Sequence, residues 1–198
     1  MRLRTGQFGQ AARLLARAFD DEPGALWLLP SDARRRRFLR WAMARDLRYG
    51  RAYGHIYTTP VAPEGAAIWL PPEQPRFTVL GLLRAGYLAL PLKLGLALPR
   101  FLASLGLLDR LHRRDMPGPH WYLAALGVDP PRQGRGLGSA LIQPVLRRAD
   151  AERLPCYLET GREINVTFYG KHGFEVVRTG NAPMGGPRYW TMRREPAA

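Results

Sequence analysis

The run Gln133-Gly134-Arg135-Gly136-Leu137-Gly138 stands between an apolar segment, Trp121 to Val128, and a stretch from Ser139 in which Leu141, Ile142, Val145, Leu146 and Ala149 recur at helical spacing. A strand entering a glycine-rich turn that opens a helix aims several backbone N–H groups at one point. The helix dipole adds to them, so the chemistry on offer is anion binding. Glycine suits such a turn because a Cβ would hold a phosphate away from the backbone. Two nucleotide fingerprints fail. The dinucleotide pattern needs a third glycine or alanine where Ser139 or Leu141 stands, and the NTPase loop needs G-K-[ST] where the chain has Gly138-Ser139-Ala140. Glu159 is the acid of an otherwise apolar run, Cys156 to Thr160. Burial would raise its pKa toward the range of a useful base, or one of the many arginines would pair with it. Cys156 is the single cysteine, which excludes an internal disulfide and a cysteine-based zinc site. No adjacent base marks it as an acyl acceptor. His55, His112 and His172 show no metal-ligand spacing and read as structural or exposed, so no metal is expected.

The same loop satisfies Q/R-x-x-G-x-G/A through Gln133, Gly136 and Gly138. Downstream, Asn165, Phe168-Tyr169 and Gly173-Phe174 follow Leu158-Glu159-Thr160 at the spacing N-x-x-F-Y-x-x-x-G-F. On these residues the chain resembles the GNAT family of acetyl-coenzyme A dependent N-acetyltransferases. The part from Trp121 to Phe174 looks most like the branch that contains puromycin N-acetyltransferase. The resemblance implies an α/β (α+β) fold, a twisted mixed sheet flanked by helices with its fourth and fifth strands splayed around the coenzyme. It implies acetyl-CoA as the acetyl donor and direct transfer to a primary amine. The backbone of Leu126, Gly127 and Val128 would meet the pantetheine arm, an N–H near Leu126 or Val128 would polarise the thioester, and Gln133, Gly134, Arg135, Gly136, Leu137, Gly138 and Ser139 would hold the diphosphate. Arg132 and Arg135 would either reach phosphates or stay in solvent. Asn165 would bind the coenzyme, cap its helix, or both. Tyr169 occupies the family's tyrosine position and is implied as the general acid, since a phenol of pKa ~10 keeps its proton at neutral pH. The base is His120 or Glu159. On the acceptor side the resemblance nominates Phe19, Asp20, Asp21, Trp27, Trp69 and Tyr122, where acids beside aromatics would suit a cationic amine with an apolar body.

These residues need elements to carry them. Thr5 is placed to cap a helix with the stripe Phe8, Ala11, Ala12, Leu15 and Phe19, and Ser31 a second helix from Asp32 to Tyr49 that Gly50 would end. Strands are expected at Tyr53 to Tyr57, Ala66 to Leu70, Trp121 to Val128, Cys156 to Thr160 and His172 to Val177, with a short helix from Asn165 to Gly170. The apolar stretch Thr78 to Leu111 is interrupted by Arg84, Lys93, Arg100, Pro91 and Pro99. It reads as short buried or amphipathic helices, and no spanning segment is expected.

The 198 residues fit one domain, with residues 1–50 shaping the acceptor side and residues 120–180 forming the coenzyme-binding core. A chain of this length holds a core without metal or disulfide. Its net charge of +14 favours an anionic partner, although an arginine-rich composition alone produces the same balance. A small-molecule acceptor as monomer or homodimer, in a reducing cytoplasm, is the expected setting, with no nucleic acid involved. A coenzyme-binding sensor without turnover and a basic nucleic-acid-binding protein are the alternatives; steep salt-dependent DNA binding would mark the second.

Overall fold

The computed structural model describes residues 1–197. Met1 to Leu3 run beside the first strand, with the Leu3 N–H donating to the Ile56 carbonyl at 3.0 Å and Arg2 bridging Tyr57. Helices α1 (Phe8–Ala18), α2 (Pro23–Leu28) and α3 (Asp32–Tyr53) follow. Then come strands β1 (His55–Thr58) and β2 (Gly65–Leu70), helices α4 (Val79–Ala85), α5 (Leu90–Leu94) and α6 (Leu98–Asp115), and strand β3 (Trp121–Val128). The chain closes with α7 (Leu137–Ala151), β4 (Cys156–Thr160), α8 (Glu163–Gly170), β5 (Glu175–Asn181) and β6 (Arg188–Arg194).

The strands form one mixed sheet in the order β1-β2-β3-β4-β6-β5, antiparallel throughout except for the β3–β4 pair. Counted after the bridge at Arg2, β3 and β4 stand fourth and fifth. Helices cover both faces, so all six residues of β2 are buried. Alternation still decides which face each side chain serves. Ala66 and Ile68 join the α1 and α3 side with Leu14, Leu15 and Leu47, while Ala67 and Trp69 join Trp121, Ile142 and Val145 beneath α7.

Several element boundaries differ from the sequence expectations, among them the start of α8, which is Glu163 and not Asn165. Gly50 does not end α3, which continues to Tyr53; a Cβ at position 50 would lie 2.7 Å from Ile68 Cγ2. The glycine lets the helix lie close on the sheet. The first strand accordingly starts at His55. Thr5 opens a 3-10 turn, Thr5–Gln7, and makes no cap for α1, and Ser31 sits at the α3 N-cap without a side-chain bond. The strand expected from His172 begins at Glu175, because Gly173 turns the chain with φ +81°. Its partner β6 had no counterpart in the expectations.

The apolar stretch does break into helices, and they are of the amphipathic kind. Across short 3-10 turns, Tyr87 to Asp115 make one helical stretch long and apolar enough to cross a membrane, by length and composition, which corrects the expectation of no such run. Leu94, Ala97, His112 and Asp115 pack inward along it, whereas Leu88, Leu92 and Leu96 face out.

Candidate active site

β3 and β4 pair at Trp121–Cys156 and Tyr122–Tyr157 and no further. Beyond those pairs the strands separate, so β3 from Leu123 to Val128 is bonded to β2 alone and β4 to β6 alone. A cavity of about 380 Å³ occupies this wedge. Leu123 to Leu126 form one wall and Glu159 to Gly161 another; α8 contributes Asn165 and Tyr169. Phe19, Glu22 and Trp27 close it from the α1–α2 side, and α6 covers it with Phe101, Ser104, Leu107 and Leu108. The lining is mostly apolar, with few polar groups aimed inward, as binding cavities for small molecules commonly are.

The turn before α7 runs beside the wedge: a Cβ at Gly138 would lie 3.9 Å from Cδ2 of Leu126, a wall residue. Gly134 and Gly136 both hold φ +76°, and a Cβ at either would meet nothing within 4 Å. The first backbone bond into α7 runs from the Ala140 N–H to the Gly136 carbonyl. The amides from Gly134 to Ser139 therefore find no acceptor among the described residues. Unpaired donors at a helix N-terminus, with open space above them, fit a diphosphate. Gly138 has a different task, since a Cβ there would lie 3.2 Å from Phe168. Ser139 Oγ bonds His172 Nε2 at 2.9 Å, so His172 ties the turn to α8. Gln133 folds back, its Nε2 donating to the Val128 carbonyl at 3.1 Å, and Arg132 pairs with Glu64 at 3.0 Å. Both side chains brace the loop. Arg135 is exposed.

Glu159 and Tyr169 face the same cavity. Burial pushes the Glu159 carboxyl up to about 8, against the lowering effect of the Tyr122 hydroxyl, which donates to Oε2 at 2.8 Å; the charge of Asp115 raises it further. Tyr169 is buried, and both burial and the charge of Glu22 raise its pKa, so the phenol keeps its proton at any physiological pH. Asn165 lies inside α8 and donates to Thr160 Oγ1 at 3.0 Å; Arg162 holds the N-cap position. The expected cap is thus absent, and Asn165 ties α8 to the end of β4.

Behind Glu159 lies a buried histidine pair. His112 Nε2 and His120 Nε2 are 2.7 Å apart, His120 Nδ1 is 2.7 Å from the Gly118 carbonyl, and His112 Nδ1 is 3.8 Å from Glu159 Oε1. Burial lowers both pKa values, that of His112 to about 3 with the neighbouring His120 adding to the effect, so both rings are neutral. The Gly118 carbonyl can only accept, which assigns the His120 proton to Nδ1. His120 Nε2 must then accept from His112 Nε2–H, leaving a lone pair on His112 Nδ1 turned toward Glu159.

Several nominated residues sit elsewhere. His120 is wholly buried and does not reach the cavity, because both ring nitrogens are bonded inside the fold. Trp69 is wholly buried on the α7 side of the sheet, away from the acceptor wall. Asp20 is held by Arg35 at 3.1 Å and Arg36 at 2.8 Å, and Asp21 pairs with Arg162 at 3.1 Å. Neither lines the cavity. On the α1–α2 side the acid that does is their neighbour Glu22, whose carboxyl burial pushes up in pKa. Tyr122 lies beneath Glu159 as its hydrogen-bond donor rather than in the lining. Gly127 faces α1, where a Cβ would meet Leu15 Cδ2 at 2.8 Å; it serves helix packing. Sequence reasoning also missed His112 and the α6 wall. His112 lies on α6 at i, i+4 from Leu108 and i, i+3 from Asp109, a spacing that carries no signal of its partner 47 residues away on β4.

A mixed sheet with one parallel pair opened into a wedge, and a glycine turn beside it, offers a cleft for an acyl donor. Residues 95–174 match the acetyltransferase (GNAT) family model. An uncharacterized N-acetyltransferase of Schizosaccharomyces pombe is 30% identical over 184 residues, covering 87% of this chain and 72% of the yeast protein. The chain belongs to the GNAT family and is an N-acetyltransferase. Solved structures agree on the fold. A histone acetyltransferase HPA2 and related acetyltransferase from Corynebacterium glutamicum superposes with a TM-score of 0.66 over 100% of this chain and 96% of its own, at 19% identity. A polyamine N-acetyltransferase of Drosophila melanogaster gives 0.61 at 17% identity, over 98% and 97% of the two chains.

Proposed function

We propose that this enzyme transfers the acetyl group of acetyl-CoA directly to the primary amine of a small molecule with an apolar body. The observation that carries the proposal is the convergence of three things on one apolar cavity: the unpaired edge of β3, the protonated phenol of Tyr169 and the Glu159 carboxyl. Acetyl-CoA, when bound, supplies an activated thioester acetyl group. The amides from Gly134 to Ser139 hold its diphosphate, and the backbone of β3 beyond Tyr122 receives its pantetheine arm. Tyr169 Oη keeps a proton available to the departing sulfur. Glu159 takes the proton that the amine must lose before it can act as a nucleophile, and Tyr122 and the His112–His120 pair hold Glu159 in place. General acid and general base catalysis each contribute typically ~10²–10⁴-fold.

Glu22 gives the cavity a carboxylate beside the phenol, which favours arrival of the acceptor as an ammonium ion. Phe101, Leu107 and Leu108 favour an apolar body, and Ser104 Oγ, buried without a partner among the described residues, offers one hydrogen bond. The Drosophila structure is described as that of an enzyme forming N-acetylagmatine, a product of a small cationic amine. The mostly apolar lining fits an amine with a larger apolar body better than a polyamine. Calorimetry with acetyl-CoA, followed by a panel of primary amines monitored for free thiol, tests the reading. Thiol release should be fastest with apolar monoamines. Absence of coenzyme affinity would end the proposal, and a preference for polyamines would correct the acceptor class.

A further inference from the structure

Between Glu73 and Asp109 the chain carries no acidic residue, while the exposed cations Arg84 and Lys93 fall within that span. The same span presents the molecule's most exposed leucines: Leu88 is 78% exposed, Leu92 89% and Leu96 95%, joined by Val79, Leu83 and Leu102. Leu88, Leu92 and Leu96 recur every four residues, and their neighbours Leu94 and Ala97 are buried. One side of this helical stretch is therefore fixed to the domain, and the other stands clear of it.

We infer that the outer face of α4, α5 and the start of α6 docks on an anionic phospholipid surface. The leucines stand as separate tips on short helices that break at Gly86, φ +99°, and Gly95, φ +53°. Tips of this kind enter a fluid acyl layer without needing matched pits, whereas a protein partner would need one for each. The interleaved cations without any acid match lipid phosphates and carboxylates. A second copy of this chain would bring the same cations face to face. Nucleic acid would satisfy the cations and leave the leucines in water. The stretch is long enough to span a bilayer, but Leu94, Ala97, His112 and Asp115 pack into the domain and Arg100 donates to the Trp27 carbonyl at 3.3 Å. Those contacts keep it lying on the surface of the domain. Docking would set the outer side of α6 at the lipid boundary while its inner side, Phe101 to Leu108, covers the acceptor cavity.

The inference stands apart from the acetyltransferase chemistry and is tested on the full chain without substrates. Sedimentation with vesicles of phosphatidylcholine containing 30% phosphatidylserine, at near-physiological salt, should pull down the wild-type protein. Pure phosphatidylcholine should retain at least tenfold less. The L92S/L96S variant, altered only at exposed side chains, should lose at least tenfold in partitioning to the anionic vesicles with an unchanged circular dichroism spectrum. Equal binding of wild type and variant would mean that the basic surface at large does the work, and would overturn the inference. So would wild-type protein that stays in the supernatant, that binds single-stranded RNA with the same leucine dependence, or that forms a dimer dissociated by L92S/L96S.

Discussion

With Glu159 as the proposed base, its hydrogen bond from Tyr122 should set the pH at which the enzyme works, and Tyr122→Phe isolates it. Glu159 titrates near 8 because burial and Asp115 raise its pKa while the Tyr122 hydroxyl, at 2.8 Å from Oε2, opposes the rise. A hydrogen bond to a charged group is worth about 1.5–3 kcal/mol, or ~1–2 pH units at 1.36 kcal/mol each. Removing the hydroxyl moves the midpoint from about 8 into the region of roughly 9–10, since the phenyl ring keeps the volume and the burial. At pH 7 the wild-type carboxyl is ionised in about a tenth of molecules, so the variant should be ~10–100-fold slower there and recover most of that loss at high pH. The assay is kcat/KM for one amine, read by free thiol release between pH 6 and 10. Using the same amine for both proteins cancels its own ionisation. Glu159→Gln should be slow across the range and lack the rising limb. A limb that stays in place in Tyr122→Phe, or persists in Glu159→Gln, would remove Glu159 as the base.

Other residues give independent checks. Tyr169→Phe should lower kcat by ~10²–10⁴ with acetyl-CoA affinity nearly unchanged in calorimetry, because the lost hydroxyl acts on the leaving sulfur and not on the diphosphate. Gly136→Ala should weaken acetyl-CoA binding at least tenfold: φ is +76°, where a Cβ costs ~1–2 kcal/mol, and the methyl would stand in the open space above the amides. Cys156 is buried with its thiol pushed up to about 12, so it should resist thiol reagents in the folded protein, and Cys156→Ala should retain turnover. Asp46, raised to about 6 by burial although the Tyr87 hydroxyl bonds it, binds its proton more tightly folded than unfolded. Stability should therefore fall as pH rises from about 4 through about 6, and Asp46→Asn should flatten that slope in urea titrations.

The parts of the molecule legible in sequence were those with a local period or a local steric demand. Trp121 to Val128, the glycine turn and the helix after it announce themselves because strand alternation, φ above zero and helical spacing are each properties of neighbouring residues. β6 was not legible: Arg188, Arg193 and Arg194 break its apolar pattern, and its burial comes from lying between β4 and β5. Gly50 misled for the same reason. As a helix-ending residue it is persuasive locally, and only the approach of Ile68 shows that it is a packing residue. On the acceptor side, three consecutive acids, Asp20, Asp21 and Glu22, cannot be ranked from sequence, because the arginines that neutralise the first two come from α3 and from the N-cap of α8.

That division has a consequence for how specificity arises in this chain. The wedge and the turn are built from β3, β4 and the start of α7, whose geometry depends on sheet register and backbone donors and so admits little variation in side chains. The remaining walls come from α2, α6 and the residues around the β5–β6 turn. Substitutions at Phe101, Ser104 or Leu108 can therefore change the acceptor without disturbing the donors at Gly134 to Ser139. His112 is the exception. It rides on the same helix as the acceptor wall, yet its ring stacks on Tyr157 at 4.5 Å and turns its lone pair toward Glu159. A shift of α6 to admit a larger amine moves His112 with it, so acceptor size and the basicity of Glu159 are mechanically coupled. Enlarging the cavity by Leu108→Ala, which leaves α6 in place, should broaden the acceptor range with the pH limb fixed near 8; bulkier amines that displace the helix should move that limb.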